Sequence, residues 1–400
     1  MRLTLVFYYI CGVMKLHYFN PENDISLGLN AGQRLTTMSP MVSALHDAGS
    51  LLPVWYGDDG DRVLVEKSFD GNFVDRLAEE FGLNVLPVAE ADVCGVIGAP
   101  WGWSHDSACR LSEAGALVPD KSVIDSLKQL SHRRTSRKIL TLLKERTDIQ
   151  LPGLPVEAHD EARVASLLEE WGSVYVKQPW SSSGRGVFRL TDWSDSIEGR
   201  VSGMIKRQGS VMVEPEFEKK KDFAMLFHSE LGKTDFAGYS LFFNSVRGAY
   251  GGNLIASDEV IEDRLVAMGA SRRELSELKL VLSGILTELV SPVYNGYMGI
   301  DMMLGCEGSI APCVELNLRM TMGVVAARFR DGYLDPDSVA VFRVGRAGAE
   351  EFSRKSDYEI KKHRLRSGSV FLTPPAANGF VFSVEAFPKS SGLEFQQLLE

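Results

Sequence analysis

The sequence is short of the features that most quickly assign a protein. It has five cysteines in 400 residues, an odd number with no CxxC pair. That excludes a disulfide scaffold and a zinc ribbon, and it points to a reducing compartment. It has no excess of positive charge. Against 53 acidic residues stand 43 basic ones, a formal net charge of −10, so the global footprint of a nucleic-acid binder is missing. No stretch approaches the roughly 20 apolar residues that a bilayer-spanning helix needs. Neither GxGxxG nor GxxxxGKS/T occurs, which removes the dinucleotide fingerprint and the Walker A loop. There is no internal repeat and no low-complexity tract. No Ser/His/Asp or Cys/His set stands out. What remains is ordinary globular composition, 44% hydrophobic and 24% charged, with length for two or three domains at roughly 150 residues each.

Met1 to Val13 is one arginine among mostly apolar residues. It reads as an extension ahead of a true start at Met14, with a short signal peptide as the alternative. The chain is expected to be cytoplasmic. From Met14 to about Asp120, short apolar strands alternate with helices, the pattern of a parallel α/β sheet. Strands are expected at Leu16–Phe19, Leu51–Tyr56, Asn84–Val88 and Val93–Ile97. Ser39-Pro40 opens a helix to about Asp47, and Phe73–Phe81 forms a helix ending at Gly82. Parallel sheets bind ligands at the carboxyl ends of their strands. Here those ends carry Asn20-Pro21-Glu22-Asn23-Asp24 and Trp101-Gly102-Trp103-Ser104-His105. These two loops are expected to shape an acceptor pocket, and their tryptophans suggest an apolar or planar group. Two basic helices follow over Ser122–Arg146, then strands, a helix near Arg163–Trp171 and a Ser/Gly-rich loop. Past Asp331 the pattern weakens. Lys361-Lys362-His363-Arg364 reads as a solvated face, and Ser369–Phe387 as a hairpin or two strands.

The densest chemistry lies between Gly299 and Arg319. Two strands flank a turn at Glu307-Gly308, and a hairpin centred near Gly308 sets Asp301 opposite Glu315. With side chains alternating, Glu315, Asn317 and Arg319 share a face with Asp301. Ile300, Met302, Val314 and Leu316 line the other. Two opposed carboxylates repel, so neutralising one is expected to stabilise the metal-free chain. A divalent cation would turn that cost into a site. Oxygen ligands alone suit Mg²⁺, which takes one or two carboxylates, waters and phosphate oxygens. The competing reading is a solvent-facing polar side of the sheet.

Two further segments carry chemistry. Ser173–Lys177 alternates as a strand and ends in Lys177, before Trp180-Ser181-Ser182-Ser183-Gly184-Arg185-Gly186-Val187. Such a loop offers many bare N–H groups and suits a flap over phosphates; a hairpin turn with nothing bound reads equally well. Val211–Phe217 runs from a strand into Glu214-Pro215-Glu216-Phe217, with Asp222 after a lysine run. Taken alone, this segment reads as an ordinary connection. Arg247, in a Gly-rich stretch, is either a surface turn residue or a cation for an oxyanion. Cys306 and Cys313 flank the hairpin turn and read as buried or incidental. His17, His105 and His132 read as structural or surface residues.

In this order, Arg133-Arg134, Lys177 with Ser181–Val187, Glu214–Phe217 with Asp222, Gly299-Ile300-Asp301, and Glu315-Leu316-Asn317-Leu318-Arg319, the chain resembles the ATP-grasp superfamily over about residues 122–330. The resemblance implies an α/β N-terminal domain with a parallel sheet, followed by an α+β ATP-grasp domain of two lobes. The boundaries would be 1–13 for the extension, 14–121 for the first domain and 122–330 for the second, with a lid lobe at about 150–213. Residues 331–400 would be a C-terminal extension packing on the second domain. It implies ATP and one or two Mg²⁺ ions, with Mn²⁺ as a substitute, held by Asp301, Glu315 and Asn317. Lys177 and the loop residues Ser182, Ser183, Gly184, Arg185 and Gly186 would hold phosphates. Glu214, Glu216 and Phe217 would flank adenine, and Asp222 would bind ribose. The early basic residue, usually lysine, is Arg133, Arg134 or Lys138, with Arg134 preferred. Arg247 and Arg319 would be the catalytic cations. The implied activity is ligation, with a carboxylate activated as an acyl phosphate for attack by an amine or other nucleophile. A kinase or a non-catalytic nucleotide binder is the alternative. The implied partners are a small-molecule or peptide carboxylate and a nucleophile co-substrate, with a homodimer possible and with no nucleic acid and no membrane.

Overall fold

The computed structural model describes residues 14–29, 33–65, 69–89, 95–181, 186–244, 250–346, 357–375 and 379–391. The first sheet is parallel, as the alternation of strands and helices implies. Its strands are β1 (Lys15–Tyr18), β2 (Arg62–Leu64), β3 (Leu86–Val88) and β4 (Ile97–Pro100), in the order β3-β2-β1-β4. Leu16, Tyr18 and Leu64 bury one face against Leu111. The helix Pro40–Gly49 is capped as expected, with the Ser39 hydroxyl accepting from the Val42 N–H. It ends at Gly49, where the Phe19 ring leaves no room for a side chain. A Cβ at Gly49 would sit 2.3 Å from that ring.

Two strand expectations fail in this region. Leu51–Tyr56 is no strand. Leu52–Trp55 is a buried 3₁₀ turn with Pro53 in its first turn. Proline suits that position and cannot donate to a ladder. Trp55 is the reason the segment is apolar. Its ring packs edge-on against Phe81 and Tyr333 at 5.1 and 5.3 Å, and its Nε1 donates to the Leu372 carbonyl at 2.7 Å. The strand in sheet register is β2, three residues long and too short to show a period. The strand expected at Val93–Ile97 lies partly outside the described residues; β4 begins at Ile97 and ends at Pro100, closer to the Trp101 loop.

A second four-stranded sheet is antiparallel. It joins β5 (Val156–Ala158), β6 (Val174–Lys177), β7 (Val187–Leu190) and β8 (Val211–Pro215) in the order β5-β8-β6-β7. Helices Glu161–Trp171 and Asp195–Gln208 cover it, and Val164, Leu167, Val174, Val176, Val201 and Val213 give it a core of its own.

The third sheet organises the rest. Its strands are β9 (Lys219–Glu230), β10 (Lys233–Asn244), β11 (Tyr250–Ile255), β12 (Gly296–Gly305), β13 (Ile310–Asn317), β14 (Ser338–Arg346), β15 (Tyr358–Lys361), β16 (Arg364–Phe371) and β17 (Phe380–Pro388). They lie antiparallel in the order β13-β12-β9-β10-β11-β14-β17-β16-β15. One face packs on helices Lys121–Leu130, Arg134–Arg146 and Arg272–Leu289 through Leu127, Leu140, Leu143, Leu278 and Leu282. The other packs on helix Met322–Tyr333 and on Phe19, Trp55 and Phe81 of the first region. Past Asp331 the described residues supply four strands to this same sheet. Its pattern is weak because Val339, Ala340, Val341 and Phe342 are buried in succession, so no polar face alternates with the apolar one.

Candidate functional site

The β12–β13 hairpin sets the geometry. Gly299 pairs with Asn317, Ile300 with Leu316 and Asp301 with Glu315. Nearer the turn, Met303 pairs with Ala311 and Leu304 with Ile310. Between these stretches, Met302 alone opposes Pro312, Cys313 and Val314. Proline cannot donate to the ladder, so the strand bulges there. The bulge brings the two carboxylates into direct opposition. Ile300, Met302 and Leu316 are buried on the far face, while the Asn317 amide donates from Nδ2 to Asp301 Oδ2 at 3.0 Å. Asp222 on β9 opposes Met303, two residues along the face that carries Asp301. Burial first, and then the Glu315 charge, pushes the Asp301 carboxyl up to about 7.

Glu315 is not left to repel Asp301. Arg133, 5% exposed, donates from Nη2 to Glu315 Oε2 at 2.7 Å. Its Nη1 donates to the Gln178 carbonyl at 2.8 Å and to Ser181 Oγ at 2.7 Å. Arg133 immediately precedes helix Arg134–Arg146, and its own N–H donates to the Pro179 carbonyl at 3.2 Å. That contact fixes the helix start against the loop after β6. Two expectations are corrected here. Arg134 does not face this site; its guanidinium turns outward to Gln129 and Glu157. Neighbouring helical residues project about 100° apart, so only one arginine can point inward. Lys138 lies on the exposed side. The expectation that neutralising Glu315 relieves the apo protein also fails, because it would strip a buried guanidinium of its carboxylate.

Lys177 is buried at the end of β6, and its Nζ is paired with Glu214 Oε2 on β8. In register, Lys177 faces Met212 and Glu214 faces Tyr175, so the two side chains are diagonal neighbours on one face. Glu214 is therefore the partner of Lys177. Glu216 is held outward by a two-pronged contact with Arg189 at 2.7 Å, which draws its carboxyl down to about 2. Its N–H is taken by the Ser173 carbonyl at 3.1 Å. The Phe217 ring lies over Gly305, where a Cβ would come within 2.9 Å of it. Asp222 Oδ2 accepts from Lys219 Nζ at 2.7 Å. Gly186, at φ +75°, closes the base of the glycine loop by accepting from the Gln178 N–H at 2.8 Å. Ser182, Ser183, Gly184, Arg185 and Arg247 lie outside the described residues.

Arg319 is gripped by Asp24. Its Nε and Nη2 reach the Asp24 carboxylate at 3.0 and 2.7 Å, and its Nη1 donates to the Met320 carbonyl at 3.1 Å. The two strand-end loops meet as neighbours. Asn20 Nδ2 donates to the Gly102 carbonyl, and the Gly102 N–H donates back to Asn20 Oδ1. Trp101 is buried against Phe19 at 5.0 Å and is not part of the pocket wall at this junction. The pocket at this junction has Trp180 as its aromatic wall, with Asp24, Ser131, Ser181, Glu315 and Arg319 around it. Sequence reasoning missed Ser131, the wall that Trp180 forms and the pairing of Asp24 with Arg319, and it held Arg133 only as one of three candidates behind Arg134. Cys313 is buried and its thiol is pushed up to about 12, so it carries no thiolate.

The donor set fits a hard cation with phosphate. Among the described residues no cluster of three or more His, Cys, Asp or Glu forms, so the protein offers two carboxylates and an amide and leaves the remaining positions to water and phosphate oxygens. Arg133 Nε is a buried donor with no acceptor among the described residues, as expected where an anionic oxygen docks.

No protein-family model matches the chain, and neither does any curated protein. Solved structures do match. Campylobacter jejuni biotin carboxylase, in complex with a βγ-ATP ligand, is 8% identical over 95% of this chain and 89% of its own, with a TM-score of 0.53. Staphylococcus aureus N5-carboxyaminoimidazole synthetase, complexed with ADP, is 10% identical over 97% and 95%, with a TM-score of 0.51. The biotin carboxylase domain dimer of Hydrogenobacter thermophilus 2-oxoglutarate carboxylase, bound to MgADP and bicarbonate, is 12% identical over 94% and 86%, with a TM-score of 0.50. The fold of this chain is the ATP-grasp fold. No helix among the described residues is long and apolar enough to cross a membrane.

Proposed function

We propose that the chain is an ATP- and Mg²⁺-dependent ligase, which activates a carboxylate as an acyl phosphate for attack by an amine or another nucleophile and releases ADP and phosphate. One observation carries the reading. Asp301 and Glu315 oppose each other on a bulged hairpin, the buried Arg133 pairs with Glu315, and Lys177 pairs with Glu214, whose charge acts on Arg133 and on Cys313 of the hairpin. Nucleotide-bound solved structures that share the fold support it.

Phosphoryl transfer asks the protein for alignment and charge neutralisation rather than covalent chemistry. Asp301, Glu315 and the Asn317 amide would hold Mg²⁺, which neutralises charge on the phosphates when bound. Lys177, with Glu214 fixing its direction, would contact phosphate oxygens. Arg133 would offer its unpartnered Nε to a phosphate oxygen while its Nη1 holds the loop at Gln178 and Ser181 and its Nη2 holds Glu315. Phe217 and the backbone beside it would border the adenine, and Asp222 would take the ribose hydroxyls. Arg319 would place positive charge next to the acceptor. The test is thermal stability with ATP, with and without Mg²⁺. Mg²⁺-ATP should raise the melting temperature by mass action, and equal stabilisation in EDTA would refute the hairpin metal site. ADP release that needs both a carboxylate and an amine identifies the ligase; a stable phosphorylated product without a second substrate would identify a kinase.

A further inference from the structure

The lobe built on β5–β8 carries Lys177, while Asp301 and Glu315 stand on β12 and β13 of the large sheet. A nucleotide held by both must enter and leave between them, so the seating of the lobe controls its passage. That seating concentrates at Trp180, just past Lys177. Gln208, the last residue of helix Asp195–Gln208 in the same lobe, grips the Trp180 backbone from two sides. The Trp180 N–H donates to Gln208 Oε1 at 3.1 Å, and Gln208 Nε2 donates to the Trp180 carbonyl at 3.0 Å. The indole then reaches out of the lobe. Its Nε1 donates to the Lys128 carbonyl at 3.0 Å, and the His132 ring meets it edge-on at 4.7 Å.

The first region supplies the other side of the seat. Helix Asn23–Leu27 ends at Gly28, and Lys128 Nζ, which lies over the Trp180 ring at 5.2 Å, donates to the Leu29 carbonyl at 2.6 Å. Gly28 lies against the tip of Gln208, where a Cβ would come within 2.5 Å of Gln208 Nε2. Nothing in the backbone asks for glycine here. Its φ of −72° and ψ of −7° are right-handed values that alanine adopts without strain. What glycine provides at this position is room for the Gln208 amide. The same short helix carries Asp24, which holds Arg319 beside the hairpin carboxylates.

We propose that Gln208 is the latch of this lobe: with its amide seated against Gly28 it fixes Trp180, and its release sets the rate at which nucleotide exchanges. Gln208 bonds to the Trp180 backbone and not to a nucleotide-holding side chain, so it is a positioning residue. The inference rests on the ligase reading only for where the nucleotide sits. Two ordinary hydrogen bonds shift a local opening equilibrium by roughly tenfold or more. A latch opens for entry and for exit alike, so breaking it should quicken both, and affinity should move less than either rate.

The experiment breaks the latch from the far side. Gly28→Ala puts a methyl group against the Gln208 amide, and the flexible end of that side chain must withdraw. In the full chain, hydrogen–deuterium exchange follows residues 178–181 and the Arg133 N–H, which bonds to the Pro179 carbonyl and is untouched by the substitution. Release of radiolabelled ADP from its Mg²⁺ complex into excess unlabelled ADP, followed by rapid filtration, gives the nucleotide exchange rate. In Gly28→Ala both should quicken by about tenfold or more, with the melting temperature unchanged. Gln208→Ala should do the same, and the double variant should be no faster than either single one, because both act on one contact. Wild-type rates in either variant, effects of the two that multiply, or faster exchange across the whole chain with a lowered melting temperature each overturn the latch. If Gly28→Ala does not fold, Gln208→Ala decides alone. A chain that retains no ADP sinks the ligase reading instead, while faster local amide exchange in the variants would still show the latch.

Discussion

Removing one charge from either hairpin carboxylate should change metal-free stability in opposite directions. Asp301 has an ordinary carboxyl value of 3.8, raised to about 7 by burial and by Glu315. The folded state therefore holds the proton more tightly than the unfolded one, and stability is lost as pH rises from about 4 to 7. Full burial would make that interval worth about 4 kcal/mol. Asp301 is only half-buried, so the expected penalty is roughly 1–3 kcal/mol. Asp301→Asn should remove it and keep the Asn317 hydrogen bond, giving a stabler protein at pH 8. Its advantage should shrink toward pH 4. Glu315→Gln leaves Arg133 buried without its carboxylate, and breaking such a pair costs about 3–5 kcal/mol. Relief of the repulsion on Asp301 returns part of that, for a net loss of roughly 1–3 kcal/mol. Urea unfolding in EDTA at pH 8 measures both. A Glu315→Gln protein as stable as wild type, or an Asp301→Asn protein less stable, would refute this account of the charges. Both variants should lose Mg²⁺-ATP stabilisation.

Lys177→Ala should weaken Mg²⁺-ATP binding by about tenfold or more and cost roughly 1–3 kcal/mol, because Glu214 is left buried and unpaired. Adding Glu214→Gln should restore stability without restoring affinity, measured by calorimetry and urea unfolding. Arg133→Met should reduce nucleotide affinity while Arg134→Ala leaves it at the wild-type value; the reverse ranking would return the phosphate role to Arg134. His132 Nδ1 accepts from the Arg134 N–H at 3.0 Å, and burial draws its value down from 6.5 to about 4. The unfolded chain thus binds a proton first as pH falls from 6.5 to 4, and up to about 3 kcal/mol is lost over that interval. Stability curves of His132→Phe should be flatter there by that amount; an unchanged acid limb would show that His132 does not control it.

Local rules reached some of these features and had no access to others. The opposition of Asp301 and Glu315 could be read because strand alternation and a Glu-Gly turn restrict the register to a few choices. Yet the ladder beside the turn is offset from the one that pairs the carboxylates, and only the bulge at Pro312 reconciles them. The pairing was thus reached without the feature that produces it. Leu51–Tyr56 failed for a different reason, since a short run buried on every side has no period to separate strand from 3₁₀ turn. The basic cluster at Arg133-Arg134 was visible as charge. Which arginine faces inward depends on where the helix begins, and that is decided by the Arg133 N–H bonding to Pro179, a contact with a segment far along the chain. Asp24 and Arg319 are 295 residues apart, and nothing local to either announces the other. Sequence order therefore supplied the inventory of charges, while tertiary pairing set what each charge does. Glu315 shows the consequence. Beside Asp301 alone its ionised form would be a liability, and beside Arg133 the same charge is required for the fold to stand.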